Sequence, residues 1–214
     1  MIGENLLRYN KTQRYLIFDC ETCNLNLMDT QNVPWQWSWV DCTIQNVINK
    51  GNAFVKWPVI NISRKVAQMT GFYQHTIDEE GIPPEEALER LDALIYDPQY
   101  RLIVHNGLNF DVFLHNIHRR LVGKPTDYSY LDRLIDTNAL ARAIKLEAKP
   151  QKDEDLLAFQ YKFANDRTKG IKSSIESLCK EFDIYYDFEA AHDARWDVET
   201  LTKIWQKLVW QIEI

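Results

Sequence analysis

Apolar positions follow two regimes along the chain. Between residues 15 and 57 the spacing is that of strands. YLIFDC at 15–20 is a short apolar run bounded by polar residues, which predicts a buried strand. Over 35–48 apolar and polar residues alternate, and Trp35, Trp37 and Trp39 fall on one face, as a period of two requires. NKGN at 49–52 reads as a turn, with AFVKW at 53–57 returning from it as the second arm of a hairpin. Further along, the period lengthens. Pro84 suits a helix first turn, and Ala87, Leu88, Leu91, Leu94 and Ile95 form an apolar stripe over 84–96. RLIVH at 101–105 predicts a strand. Phe110, Phe113, Leu114, Ile117 and Leu121 then take helical spacing. Residues 131–135 read as another strand and 137–146 as a helix after the turn-like Asp136. Residues 147–170 are polar and mixed in charge and read as an inserted lid or loop with some helix. A helix runs from Ser173 or Ser174 to about Phe182. Asp193 starts the last one, with Ala194, Val198, Leu201, Trp205 and Leu208 on one face. Antiparallel strands followed by strand–helix alternation imply an α/β domain with a mixed sheet and helices on its faces.

Composition narrows the class. The chain has 214 residues, 45% of them hydrophobic and 26% charged, enough for one domain with a core that needs no disulfide. The longest apolar run is four residues, so no membrane span is expected. Glu4 and Arg8 without an apolar stretch give no sign of a signal peptide, so the expected location is cytoplasmic, with the four cysteines reduced. Net charge is −6, which speaks only weakly against a nucleic-acid partner. Residues 78–97 hold eight carboxylates against Arg90 and so account for −7; the remainder of the chain is +1.

Asp19 and Glu21 lie two apart on the first predicted strand and so point to the same face, roughly 6.6 Å apart. Two carboxylates on a core strand are costly unless a cation pairs them, and hard divalent ions take carboxylate oxygens. The competing reading ends the strand at Asp19 and leaves both acids in water. Asp111 begins the helix after RLIVH, where the helix dipole alone would favour an acid. His192 and Asp197 lie five apart and share no helical face. They can meet at one site only if Asp193 caps the helix and His192 precedes it.

The order D-x-E, D, H-x-A-x-x-D is specific. FDCET at 18–22, HNGLNFD at 105–111 and HDARWDVET at 192–200 resemble the three motifs of the DEDD superfamily of 3′-to-5′ exonucleases. Asp193 stands where the sister branch has tyrosine, so the histidine branch is indicated, with its proofreading epsilon subunits, ribonuclease T and oligoribonuclease. IDTNALAR at 135–142 is similar to the family's strand-to-helix segment. The resemblance spans roughly residues 14–210. It departs in three places. Three residues separate Asn106 from Phe110, as in proofreading domains fused to polymerases. Cys23-Asn24-Leu25 replaces a glycine–leucine pair. The 147–170 stretch has no clear counterpart in compact members.

The resemblance implies a ribonuclease H-like fold with a mixed five-stranded sheet, one exonuclease domain over 1–214 with the lid at 147–170. It also implies two Mg²⁺ or Mn²⁺ ions held by Asp19, Glu21, Asp111 and Asp197, with His192 as general base. Thr22 and Asn106 would hold the terminal sugar and phosphate, and Leu25 would wedge against the terminal base. The residues themselves also allow a strand-end turn, a helix cap and a core leucine at those three positions. The expected reaction removes nucleoside 5′-monophosphates from DNA 3′ ends, in proofreading or end trimming. Its expected partners are a 3′ end, single-stranded DNA ahead of RNA, and a DNA polymerase or replisome. The alternatives are a 3′-to-5′ exoribonuclease or oligoribonuclease, and a non-catalytic nucleic-acid-binding module. Cys20-x-x-Cys23 lacks a matching pair for zinc. Asp111, His115 and His118 share a helical stripe, but the histidines lead away from the site.

Overall fold

The computed structural model describes residues 7, 8, 10–151 and 154–211. Five strands form one mixed sheet in the order β3-β2-β1-β4-β5. β1 (Arg14–Thr22) pairs antiparallel with β2 (Pro34–Cys42), which pairs antiparallel with β3 (Val47–Phe54). β4 (Tyr100–Val104) runs parallel to β1, and β5 (Leu134–Asp136) parallel to β4. The expected α/β architecture, a mixed five-stranded sheet flanked by helices, is therefore present.

Alternation along β1 divides the core. Leu16 and Phe18 join one apolar cluster with Trp37, Trp39, α3 (Pro84–Ile95) and α4 (Asp111–Leu121). Tyr15 and Ile17 join the opposite cluster. There they meet α5 (Thr137–Lys145), α6 (Leu156–Ala164), α7 (Ile175–Glu181) and α8 (Ala194–Leu208). Each of the longer helices turns its stripe inward: Ala87, Leu88, Leu91 and Ile95 on α3, and Ala194, Val198, Leu201, Trp205 and Leu208 on α8, are buried. Within 147–170, α6 buries Leu156, Phe159 and Gln160. Gln160 accepts from the Asp136 N–H at 2.6 Å and donates to the Leu134 carbonyl at 3.1 Å.

One local expectation gives way. NKGN at 49–52 is not a turn; it lies inside β3. The hairpin turns at 43–46, where the Thr43 N–H donates to Asn46 O at 2.8 Å and the Asn46 N–H donates to Thr43 Oγ1 at 3.1 Å. Gly51 stands opposite Trp39, and a Cβ there would lie 2.2 Å from the indole ring. The glycine admits an aromatic ring onto the sheet rather than bending the chain. Two short helices, α1 (Arg64–Thr70) and α2 (Gln74–Glu80), fill the connection before α3. Each buries one residue, Thr70 and Ile77, so neither writes a stripe into the sequence.

Candidate active site

The site forms where the parallel strands part. β1 and β4 stay paired from Arg14↔Tyr100 to Ile17↔Ile103, and β1 then runs on through Asp19 and Glu21 while the chain after β4 turns away. A crevice at the C-terminal end of parallel strands is the usual place for a ligand in such sheets. Asp19 faces Ser38 across the antiparallel pair, and Glu21 faces Gln36. The tryptophans lie on the opposite face: Trp37 pairs with Cys20 and Trp39 with Phe18. All three of Trp35, Trp37 and Trp39 are buried.

Asp111 arrives from the first residue of α4, and Asp197 from the first turn of α8 on the other side of the sheet. Ligand atoms of Asp19, Glu21 and Asp197 lie within 4.8 Å of one another. Asp111 sits beside this trio and is buried. The Cys20 thiol lies close enough to its carboxylate to favour the charged form, yet its Oδ1 has no hydrogen-bond partner. Cys20 thus belongs to the site's edge as well as to the core, a contact the strand pattern did not suggest.

The electrostatics are those of an anionic cluster without a counterion. Among the described residues no Lys or Arg forms an ion pair with any of the four. Burial, then the charges of Asp111, Asp197 and Glu21, push Asp19 well above the usual carboxylate range. Glu21 is pushed up likewise, by burial and by Asp197, Asp111 and Asp193. Burial raises Asp111 to about 7 despite the Cys20 thiol, and Asp197 to about 7 despite a backbone N–H from His192. Unpaired buried carboxylates with an orphaned oxygen fit hard divalent cations, which take several oxygens at once. Mg²⁺ or Mn²⁺ suits an all-carboxylate donor set better than a thiol- or imidazole-preferring metal does.

His192 lies just outside α8. Asp193 is the N-cap, accepting from the Arg195 N–H at 2.9 Å, and His192 takes φ 67° and is exposed. Its side chain borders a cavity of about 360 Å³ that is also lined by Trp35, Phe54, Met69, Tyr73 and Arg195.

Thr22 is buried, and its Oγ1 donates to the Asn24 carbonyl at 2.7 Å. Asn24 and Asn32 tie the following loop together: Asn32 Oδ1 accepts from the Asn24 N–H, and Asn32 Nδ2 donates to the Asn24 and Asn26 carbonyls. The loop holds Leu25 80% exposed, so it is not a core leucine. Asn106 has φ 61°, which asparagine tolerates. It caps no helix with its side chain, which accepts from Asn109 Nδ2 at 3.1 Å. The cap of α5 is Asp136, whose carboxylate also receives the Asn106 and Leu108 N–H groups and so fixes the second motif to β5. His105 bonds Thr137 Oγ1 at 2.9 Å, and burial lowers its pKa to about 4, marking it as structural.

No protein-family model matches the sequence, and no curated protein matches it. Solved structures do. E. coli exonuclease I in its zinc-bound complex with single-stranded DNA aligns at 19% identity and TM-score 0.67, over 91% of this chain and 40% of that one. The same enzyme with a dT13 oligonucleotide aligns at 18% identity and TM-score 0.68, over 92% and 41%. A 3′-exonuclease described for 3′-end-specific recognition of the histone mRNA stem-loop aligns at 12% identity and TM-score 0.68, over 92% and 63%. The chain thus spans about two fifths of the exonuclease I chains. At these identities the likeness is one of fold: the chain has the ribonuclease H-like architecture of these exonucleases.

Proposed function

We propose that the chain is a metal-dependent 3′-to-5′ exonuclease of the histidine branch of the DEDD superfamily, a single catalytic unit acting on single-stranded DNA ends. One observation carries the reading: three separate motifs deliver four carboxylates to one crevice, where no Lys or Arg among the described residues pairs with them. That arrangement is costly to folding and is explained by ligation. Asp19, Glu21, Asp111 and Asp197 would hold two Mg²⁺ or Mn²⁺ ions. When bound, these ions supply the positive charge that lets water attack a phosphodiester in line.

The chain's own residues do the rest. His192, outside the helix and directly before its Asp193 cap, takes the proton from the attacking water at an imidazole nitrogen. Exposed Leu25 stands against the terminal base, while Thr22 and Asn106 hold the terminal sugar and phosphate. The cavity beside His192 offers the exposed Tyr73 to a base, over a floor that includes the buried Trp35 and Phe54. Asn109 of the second motif donates to the Ala164 carbonyl, which links the 147–170 stretch to the site and supports its part in covering the substrate. A proofreading or end-trimming role, with a polymerase partner, belongs to the same proposal. The structure described with histone mRNA keeps RNA in view as the second substrate.

The test uses 5′-labelled single-stranded DNA and RNA oligomers with Mg²⁺, Mn²⁺ or chelator. Stepwise shortening from the 3′ end and release of nucleoside 5′-monophosphates, lost in chelator, is the expected result. Full activity in excess chelator would overturn the metal reading, and preference for the RNA oligomer would transfer it to the ribonuclease alternative. His192→Ala should lower the rate roughly 10²- to 10⁴-fold, with substrate affinity near wild type.

A further inference from the structure

We propose that Gln36 is a positioning residue for His192, acting through Asp193; the inference rests on the exonuclease reading above. Gln36 stands on β2 directly opposite Glu21 and is 1% exposed. Its Nε2 donates to Asn52 Oδ1 at 2.9 Å and to Asp193 Oδ1 at 3.2 Å. Asn52 is itself held from the sheet, because Ser38 Oγ donates to the same Oδ1 at 2.7 Å. The sheet therefore reaches out through a braced amide and grips the cap of α8.

The dipeptide His192-Asp193 is held through its second residue. The Asp193 carboxylate receives Gln36 from the sheet and the Arg195 N–H and guanidinium from its own helix, while the His192 backbone N–H lies close enough to Asp197 to favour its charged form. Arg195 is exposed and belongs to α8, so it ties Asp193 to the helix but not to β1 and β2. Gln36 supplies the tie between the His192 loop and the strand pair that carries Asp19 and Glu21. Packing alone does not call for an amide here. An apolar side chain of the same length would fill the space without the cost of burying a polar group. Asp193 also repels Glu21, a cost that a bare helix cap would not need to bear, since serine caps as well. Both features make sense if the backbone at φ 67° has to be held in register with the carboxylates.

The experiment compares Gln36→Met, His192→Ala and the double variant in the full chain. It measures melting temperature, kcat and KM on a single-stranded oligomer with Mg²⁺, and amide exchange at His192 in the metal-free protein. Gln36→Met should lower kcat roughly 10- to 100-fold, the usual cost of misplacing a reacting group, with KM little changed. In the His192→Ala background it should cost nothing further. The His192 amide should exchange roughly tenfold faster in the Met variant. If Gln36→Met does not fold, Asp193→Ser keeps a cap and removes the carboxylate that Gln36 reaches, and should show the same non-additivity. Equal rates for Gln36→Met and wild type, or losses that multiply in the double variant, would overturn the proposal while leaving the exonuclease reading intact. A wild-type chain inactive on every oligomer would overturn the exonuclease reading instead. The exchange measurement, which needs no turnover, would then decide the Gln36 contact by itself.

Discussion

One helix carries two groups of buried titratable side chains with opposite characters. At its first residue α4 brings Asp111 to a cluster of carboxylates that no Lys or Arg among the described residues pairs with, and an oxygen is left unpartnered. Further along, α4 carries His115, His118 and Arg119 into a network that is closed. His115 bonds Asp92 Oδ1 at 2.8 Å and the Tyr130 hydroxyl at 3.1 Å. Arg119 donates to Asp92 Oδ2 at 2.6 Å and to the Pro125 carbonyl at 2.8 Å. Trp37 Nε1 donates to His118 Nδ1 at 3.1 Å, and His118 Nε2 donates to the Pro84 carbonyl at 2.8 Å. Burial lowers both histidines, His118 to about 4, so both are neutral at pH 7. In sequence, Asp111, His115 and His118 are one stripe and could pass for a metal triad. In space the histidines are spent on structure, and the acid is not. Burial of charge does not by itself identify a site; unsatisfied burial does.

The sharpest break between the two groups should come from removing one acid of each. Asp19→Asn should lower exonuclease turnover by roughly 10⁴-fold or more while the protein stays folded. Its metal-free melting temperature should rise, because one of four crowded carboxylates is gone. Asp92→Ala should do the reverse. It strands Arg119 and His115 and should cost about 3–5 kcal/mol in urea unfolding, with kcat/KM of the folded fraction unchanged. An Asp19→Asn variant that unfolds, or an Asp92→Ala variant that is stable and inactive, would erase the distinction.

The pH response should also differ in sign. Asp111 and Asp197 titrate near 7 in the folded chain against an ordinary 3.8. The unfolded chain thus loses these protons first as pH rises. The stability they contribute is full below about 3.8 and is lost as pH climbs to about 7. His118 works the other way: its folded pKa near 4 lies below the ordinary 6.5, so its contribution is full above 6.5 and is lost as pH falls toward 4. In melting curves of the metal-free chain, Asp111→Asn should flatten the decline toward pH 7. Added Mg²⁺ should raise the melting temperature of the wild type most at neutral pH. An Mg²⁺ effect that is the same at low and neutral pH would remove the link between the carboxylates and the ion.

Much of this contrast was legible before the fold was known, and the limits have physical causes. The stripes of α3 and α8 and the run on β1 were readable because each buries several apolar residues. The stripe expected on α4 misled: Phe113 and Leu121 are exposed, and the buried face carries Asp111, His115, His118 and Arg119 beside Val112 and Leu114. α1 and α2 bury one residue each and left no pattern. Gly51 looked like a turn because sequence cannot show the indole that lies against it. D-x-E on β1 put two acids on one face. Which residues of β2 share that face with them depends on strand register, and register placed Gln36 and Ser38 there. The networks of His115 and His118 rest on partners 15 to 81 residues away, beyond any local reading.

The smallest change tests whether the network is as closed as its geometry indicates. His115 donates through Nε2 to Asp92, so as a neutral ring it accepts at Nδ1 from the Tyr130 hydroxyl. Tyr130 is fully buried between His115 and Tyr96, with ring centroids 5.4 and 5.7 Å apart, and the ring's packing does not depend on the hydroxyl. Tyr130→Phe therefore keeps the volume and removes one donor, leaving Nδ1 buried without a partner. The expected cost is about 1–2 kcal/mol in urea unfolding, with no change in metal dependence or turnover. Without the tyrosine the Nδ1 lone pair is free, whereas a replacement donor would restore the wild-type ring environment, so the His115 ¹⁵N shifts in the variant report whether the site has closed again. A loss of turnover matching that of Asp19→Asn would mean that the network reaches into the site through α4, and the two groups would have to be treated as one.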